Sequence, residues 1–228
     1  MIFFRATYPL LLFLMIWGCT NSTKERQLVY LATHLNYQLE EKNTQKKLRI
    51  DTLLQSDAMQ QVYDYNLVIK AELRKLKKHT TALLDNIQKT KQHLIQKIGG
   101  GISMQTGRIN EPINEKGVYD YMALKIGNAP QEGYRLKKRL DNYVEYLNTE
   151  FKEYGIPKFA RFAWGNESNA LYRQQPKERN KDFAEAYFQD TPVMMALVYL
   201  SHFENTILTY QTEVIQHFLL HTISKIPH

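Results

Sequence analysis

Cys19 is the only cysteine in a chain of 228 residues, and the residues before it give it a chemistry. Ile16-Trp17-Gly18-Cys19 sets an aliphatic residue three places before the thiol and a small residue directly before it. That is the pattern of a lipobox, although Trp17 is bulkier than the usual residue at its place. A signal peptidase needs the small residue at the cleaved bond, and the freed cysteine then takes acyl chains. Each buried CH₂ contributes about 0.8 kcal/mol, so anchoring by several chains is stable. Residues 1–18 have the layout of an export leader: Arg5 as the positive region, then the apolar run from Pro9 to Trp17. That run is shorter than the roughly 20 apolar residues of a comfortable span. Two other readings stay open: an uncleaved, slightly short membrane anchor, and a buried helix with an incidental cysteine. A body without another thiol suits an oxidising compartment.

The remaining reactive side chains do not assemble a site. His217 and His221 stand four apart with Glu213 one turn earlier, a spacing that can place two imidazoles on one metal. There is no His-Glu-x-x-His pattern and no third ligand in sight, and Phe218 and Leu219 between them read as core. Histidines near a helix end suit the negative pole of its dipole. Gly99-Gly100-Gly101 runs into Ile102-Ser103, without the Gly-Lys-Ser/Thr of a phosphate cradle. No serine sits in a nucleophile elbow. Met194-Met195 and the tyrosines read as core and bundle surface, and the run from Arg74 to Lys78 as a solvated helix face. The sequence therefore predicts no catalytic residue, no metal and no cofactor, and one functional residue, Cys19.

The elements that must carry these residues are helical. After the leader (1–18) and a tether (19–27) comes a single domain, 28–228. Leu28, Leu31, Leu35 and Leu39 give helical spacing over 28–48. Between 62 and 94, one heptad position carries Val62, Ile69, Leu76, Leu83 and Thr90, and the other Asn66, Leu73, Thr80, Ile87 and Leu94. This is one long helix with a narrow seam, in which Asn66 and Thr80 fix register. Gly99 to Gly101 end it. Residues 99–132 break the periodicity, with 118–122 as a short strand or helical turn. Helix resumes over 136–154, where Leu136, Leu140, Tyr143, Val144, Leu147 and Phe151 share a face. Residues 155–181 are irregular and rich in rings. Thr191-Pro192 is a start signal, with Thr191 as N-cap. The last helix then runs to about residue 224, with Glu204 and Gln211 on its apolar stripe as seam or rim residues. The predicted fold is all-α: an elongated antiparallel helical bundle with two long irregular loop excursions.

Net charge is +7 and the pI about 9.3, with the cations spread among acids. Such a balance favours anionic lipid headgroups and is a poor footprint for nucleic acid.

Phe188-Gln189-Asp190-Thr191-Pro192-Val193-Met194-Met195-Ala196-Leu197-Val198-Tyr199-Leu200-Ser201, followed by Glu204-Asn205 and Glu213-Val214-Ile215, resembles the GldM/PorM gliding-motility and type IX secretion family. Trp164 upstream, and Gly133 to Leu147 with its basic Lys137-Lys138-Arg139, are similar to elements that precede this helix in that family. The resemblance reaches only the family's first periplasmic domain, a helical bundle. It implies a non-enzymatic protein that works through other envelope proteins. The family's transmembrane helix, which meets a motor subunit, is unmatched, and the lipobox-like segment stands in its place. The expectation is a lipid-anchored periplasmic scaffold whose partners are envelope proteins and, through the anchor, the membrane; nucleic acid is not among them, and a homo-oligomer stays open. Thr20 to Lys24 carries no acidic run of the kind associated with surface display, so the body is expected to face the periplasm, on either membrane. The alternative is an envelope small-ligand or polymer binding module that uses the rings of the 159–172 loop, Phe159, Phe162, Trp164 and Tyr172.

Overall fold

A computed structural model describes residues 21–98, 115–125, 131–162 and 182–223, the side chains of 21–26, 28 and 223 excepted. Cys19, Gly99 to Gly101, Trp164 and Tyr172 lie outside the described residues.

Helix α1 spans Asn21–Gln55. It takes in most of the segment read as a tether and passes the end expected near residue 48. It stops at Ser56, whose extended backbone (ψ 150°) breaks the helix and whose hydroxyl accepts from the Met59 amide. Helix α2, Asp57–Tyr65, follows. The uninterrupted helix expected over 62–94 is corrected here: Asn66 is extended (φ −146°, ψ 99°) and separates α2 from α3, Leu67–His93. Its side chain accepts from the amides of Val68 (3.0 Å) and Ile69 (3.4 Å). Asparagine offers the backbone such bonds outside a helix as readily as inside one, so it caps rather than fills the seam. The other nine heptad positions are all buried, from Val62 to Leu94. Thr80 is a seam polar residue as expected, bonded to the Tyr143 hydroxyl at 2.9 Å. Beyond His93 the helix widens into a π turn, Leu94–Ile98.

Helix α4, Glu115–Val118, continues as a π turn, Tyr119–Ala123, so the 118–122 segment takes the helical of its two expected forms. Helix α5, Glu132–Glu150, begins a turn earlier than predicted. Gly133 permits this: a Cβ there would stand 2.4 Å from the Met122 carbonyl oxygen. All six residues of the expected α5 face are buried. A 3₁₀ turn, Lys152–Tyr154, closes on Gly155 at φ +76°.

Helix α6, Phe183–Phe188, lies just beyond the stretch read as irregular and was not expected. Its signal was in the sequence: Asp182 and Glu185 form a capping box, with the Asp182 carboxylate on the Glu185 amide at 2.9 Å and the Glu185 carboxylate on the Asp182 amide at 3.1 Å. Helix α7, Val193–Ile223, matches the predicted extent to within a residue. Its start differs in one detail. The Pro192 carbonyl accepts its first bond, from the Ala196 amide at 3.0 Å. The Thr191 hydroxyl instead donates backward, to the carbonyls of Tyr187 and Gln189, both at 3.1 Å. Thr191 is therefore no N-cap; it satisfies orphan acceptors at the end of α6.

Side-chain pairs fix the directions. Lys91 meets Glu40 while Lys77 meets Asp51, so α3 runs antiparallel to α1. Thr80 meets Tyr143 and Thr90 meets Glu132, so α5 runs antiparallel to α3. Helix α7 runs parallel to α1, since Ser201 meets Asn36 and Thr209 meets Lys46. The strap after Gly155 makes this topology: Phe151 lies on Phe218, Phe159 on Tyr210 and Phe162 on Phe203, so the chain travels back along α7. The result is an all-α bundle with one long crossover. Among the described residues no helix is long and apolar enough to cross a membrane.

Candidate functional site: a charged core between three helices

Where α1, α3 and α7 meet, the apolar core gives way to charge. Glu204 sits on the inner stripe of α7 with no exposed side-chain surface. Its carboxylate accepts from Lys91 Nζ of α3 at 2.6 Å, from Gln88 Nε2 of α3 at 2.8 Å and from Asn43 Nδ2 of α1 at 3.3 Å. Lys91 also donates to the Glu40 carboxylate of α1. Around this centre, Asn43 donates to the Ser201 carbonyl (2.9 Å), Asn205 to the Asn43 side-chain oxygen (2.8 Å), and Ser201 Oγ lies 2.7 Å from Asn36 Oδ1. Lys46 Nζ bonds the Asn205 side-chain oxygen at 2.9 Å. Each buried charge is thus paired and hydrogen-bonded, the condition under which burial is tolerated.

The local folding follows from spacing. Asn36, Glu40 and Asn43 follow one another at four and three residues on α1, and Glu204 and Asn205 follow Ser201 by three and four on α7, so each set lies toward one helix face. Sequence reading left Glu204 and Gln211 as seam or rim residues; both are seam, fully or almost fully buried. Lys91 was missed, because its neighbour Thr90 holds the heptad position. The available signal was Glu204 itself: an acid on an apolar stripe calls for a buried cation elsewhere in the chain.

Glu204 has no surface, so it cannot exchange a proton with a substrate. What the arrangement can do is fix register. A shift of one turn between α1, α3 and α7 would unpair buried charges, which an all-apolar seam would not penalise.

A second polar cluster closes the end where α4, α5 and α6 meet. Lys125 Nζ lies 2.8 Å from Asp182 and 3.1 Å from Glu185, and the Tyr134 hydroxyl is 3.1 Å from Asp182. Burial pushes the Asp182 carboxyl up, but the Glu185 amide, Lys125 and Tyr134 outweigh it and hold the group below its ordinary 3.8. The Asp182 and Glu185 carboxylates and the Tyr134 hydroxyl keep Lys125 protonated well above the usual lysine range.

The rings of the 159–172 loop fall into two groups. Phe159 and Phe162 are buried on α7, and Asn148 pins the strap by accepting from the Phe159 amide (2.7 Å) and donating to its carbonyl (3.0 Å). These two rings are unavailable to a ligand at the surface; Trp164 and Tyr172 lie outside the described residues. His217 Nε2 lies 2.7 Å from the Tyr154 carbonyl, which can only accept, so that nitrogen carries a proton and offers no lone pair to a metal. Among the described residues no group of three or more His, Cys, Asp or Glu could hold a metal ion.

The family model of the GldM N-terminal domain matches residues 33–220, from the inner part of α1 through nearly all of α7. No curated protein and no solved structure matches the chain. The matched span includes every residue of the charged core, the strap and the Lys125 cluster. GldM-type domains are structural components of gliding-motility and type IX secretion machinery, membrane-associated and periplasmic. With that match over most of its length, and an all-α bundle to go with it, the chain belongs to the GldM N-terminal domain family.

Proposed function

We propose that the protein is a lipid-anchored, non-enzymatic scaffold of the bacterial envelope, held by Cys19 with its helical body facing the periplasm, where it docks envelope proteins of the gliding-motility and type IX secretion kind. One juxtaposition carries this reading: a GldM-type domain over 33–220 stands directly behind the lipobox-like Ile16-Trp17-Gly18-Cys19. Acyl chains on the cysteine would hold the domain at a membrane surface. The charged core supports a structural role, since Lys91 and Glu204 are almost fully enclosed and tie α3 to α7.

Labelled-palmitate incorporation with membrane fractionation tests the anchor. The wild-type chain is expected to carry label and to sediment with membranes, and Cys19→Ala to lose both. A Cys19→Ala chain that remains in the membrane would identify the leader itself as the anchor and overturn the reading. Crosslinking in intact envelopes tests the scaffold role, which predicts discrete envelope partners; recovery of none sinks it.

A further inference from the structure

We infer that α1 is a releasable arm, which opens from the α3–α5–α7 core as a unit by pivoting at Ser56 while that core stays folded. Its attachment is more polar than that of the other long helices: Val29, Leu35, Leu39, Leu53 and Leu54 pack against the core but stay only partly buried. Among its described residues the only fully buried apolar side chains are Ala32 and Ile50. Helix α3 alone buries Ile69, Leu73, Leu76, Leu83, Leu84 and Ile87, and α7 is richer still. Apolar burial supplies most of the free energy that resists opening, so the element with least of it opens first.

The hydrogen bonds are divided in a way that allows this. Asn36, Glu40, Asn43 and Lys46 bond α7 through Ser201, Glu204, Asn205 and Thr209. When α1 leaves, these groups exchange such bonds for water at small net cost. Glu204 is not orphaned, because Lys91 and Gln88 both belong to α3 and remain on its carboxylate. The buried ion pair thus stays with the core, and Glu40 departs with the arm.

The pivot is built in. Ser56 is a single extended residue between two helices, and α2 beyond it stays docked through Met59 and Val62, both with no exposed surface. The outer face of α1 is not held by the bundle either: Tyr30, Tyr37 and Leu48 are 74%, 67% and 57% exposed.

Hydrogen-exchange mass spectrometry of the full chain in detergent micelles tests the arm. A released polar helix frays in water, so its amides exchange during opening. Peptides covering 36–54 are expected to exchange together, at least about tenfold faster than those covering 76–87 and 203–218. Equal rates in all three would mean that α1 leaves only on global unfolding, and would overturn the inference. The Asn43→Ala variant adds a selective readout: exchange should speed up in 36–54 and stay unchanged in 76–87. Equal acceleration in both also overturns it, since Asn43 would then support the whole fold rather than the arm.

Discussion

Lys91 Nζ lies 2.6 Å from Glu204 Oε2, the two side chains being 4% and 0% exposed, which makes this pair the most deeply buried ionic contact in the bundle's described residues. It joins α3 to α7 at the level where α1 contributes Glu40 and Asn43. The pair's value is asymmetric. Together the charges are tolerated, whereas one alone is not.

Replacing Lys91 with Met should therefore destabilise the fold by about 3–5 kcal/mol, the cost of an uncompensated buried carboxylate. The K91M/E204L double variant should recover much of that loss. Urea denaturation followed by circular dichroism reads both. A loss below about 1 kcal/mol for K91M would show that the two charges are not paired in solution.

Gly133 and Gly155 should respond to alanine for different reasons. At Gly133 the added Cβ meets the Met122 carbonyl oxygen at 2.4 Å, so α5 must move away from the π turn at 119–123. A cost of about 1–3 kcal/mol is expected, typical of overpacking. At Gly155 nothing lies within 4 Å, and only the left-handed φ of +76° opposes the change. About 1 kcal/mol is expected there. Thermal unfolding should rank the two variants in that order.

Alkaline stability should depend on partly buried phenols. Burial pushes Tyr187 up to about 12, and burial with Asp182 nearby does the same for Tyr134, from an ordinary value of 10.0. A raised acid favours the folded state fully below pH 10 and loses that contribution as the pH climbs toward 12, because the unfolded chain releases protons that the folded one keeps. Absorbance at 295 nm should thus show part of the tyrosine ionisation delayed and coincident with loss of helicity. Ionisation complete by pH 11 with the helices intact would contradict the packing of these two half-buried rings.

Asn148 should hold the strap. Its amide makes both bonds to the Phe159 backbone, so Asn148→Ala leaves one donor and one acceptor without partners. Local loosening of about 1–3 kcal/mol is expected, read as faster proteolysis within 155–162 at little change in the global transition. Unchanged cleavage would mean that Phe159 and Phe162 alone secure the strap.

The all-α class, the α5 face and nine of ten heptad positions could be read from the chain, because helical periodicity is local and each apolar residue reports its own side of the helix. The extent of α7 was equally legible. Asn66 was misplaced because heptad counting assigns a position without weighing the bonds a side chain can make to the backbone. The capping box at Asp182 and Glu185 was present and went unread, since a six-residue helix shows too few turns for a periodic signal.

By itself the sequence determined the lipobox-like segment around Cys19, the helical pattern and the anomaly of Glu204 on an apolar stripe. Only the tertiary structure decided what that anomaly is. Lys91, Gln88 and Asn43 reach Glu204 from positions 113, 116 and 161 residues away in the chain, and no local pattern pairs residues across such distances. Tertiary structure also decided that α7 runs parallel to α1. Helix direction depends on where the connecting strap packs, which its buried rings fix through contacts on α7 rather than through any spacing of their own.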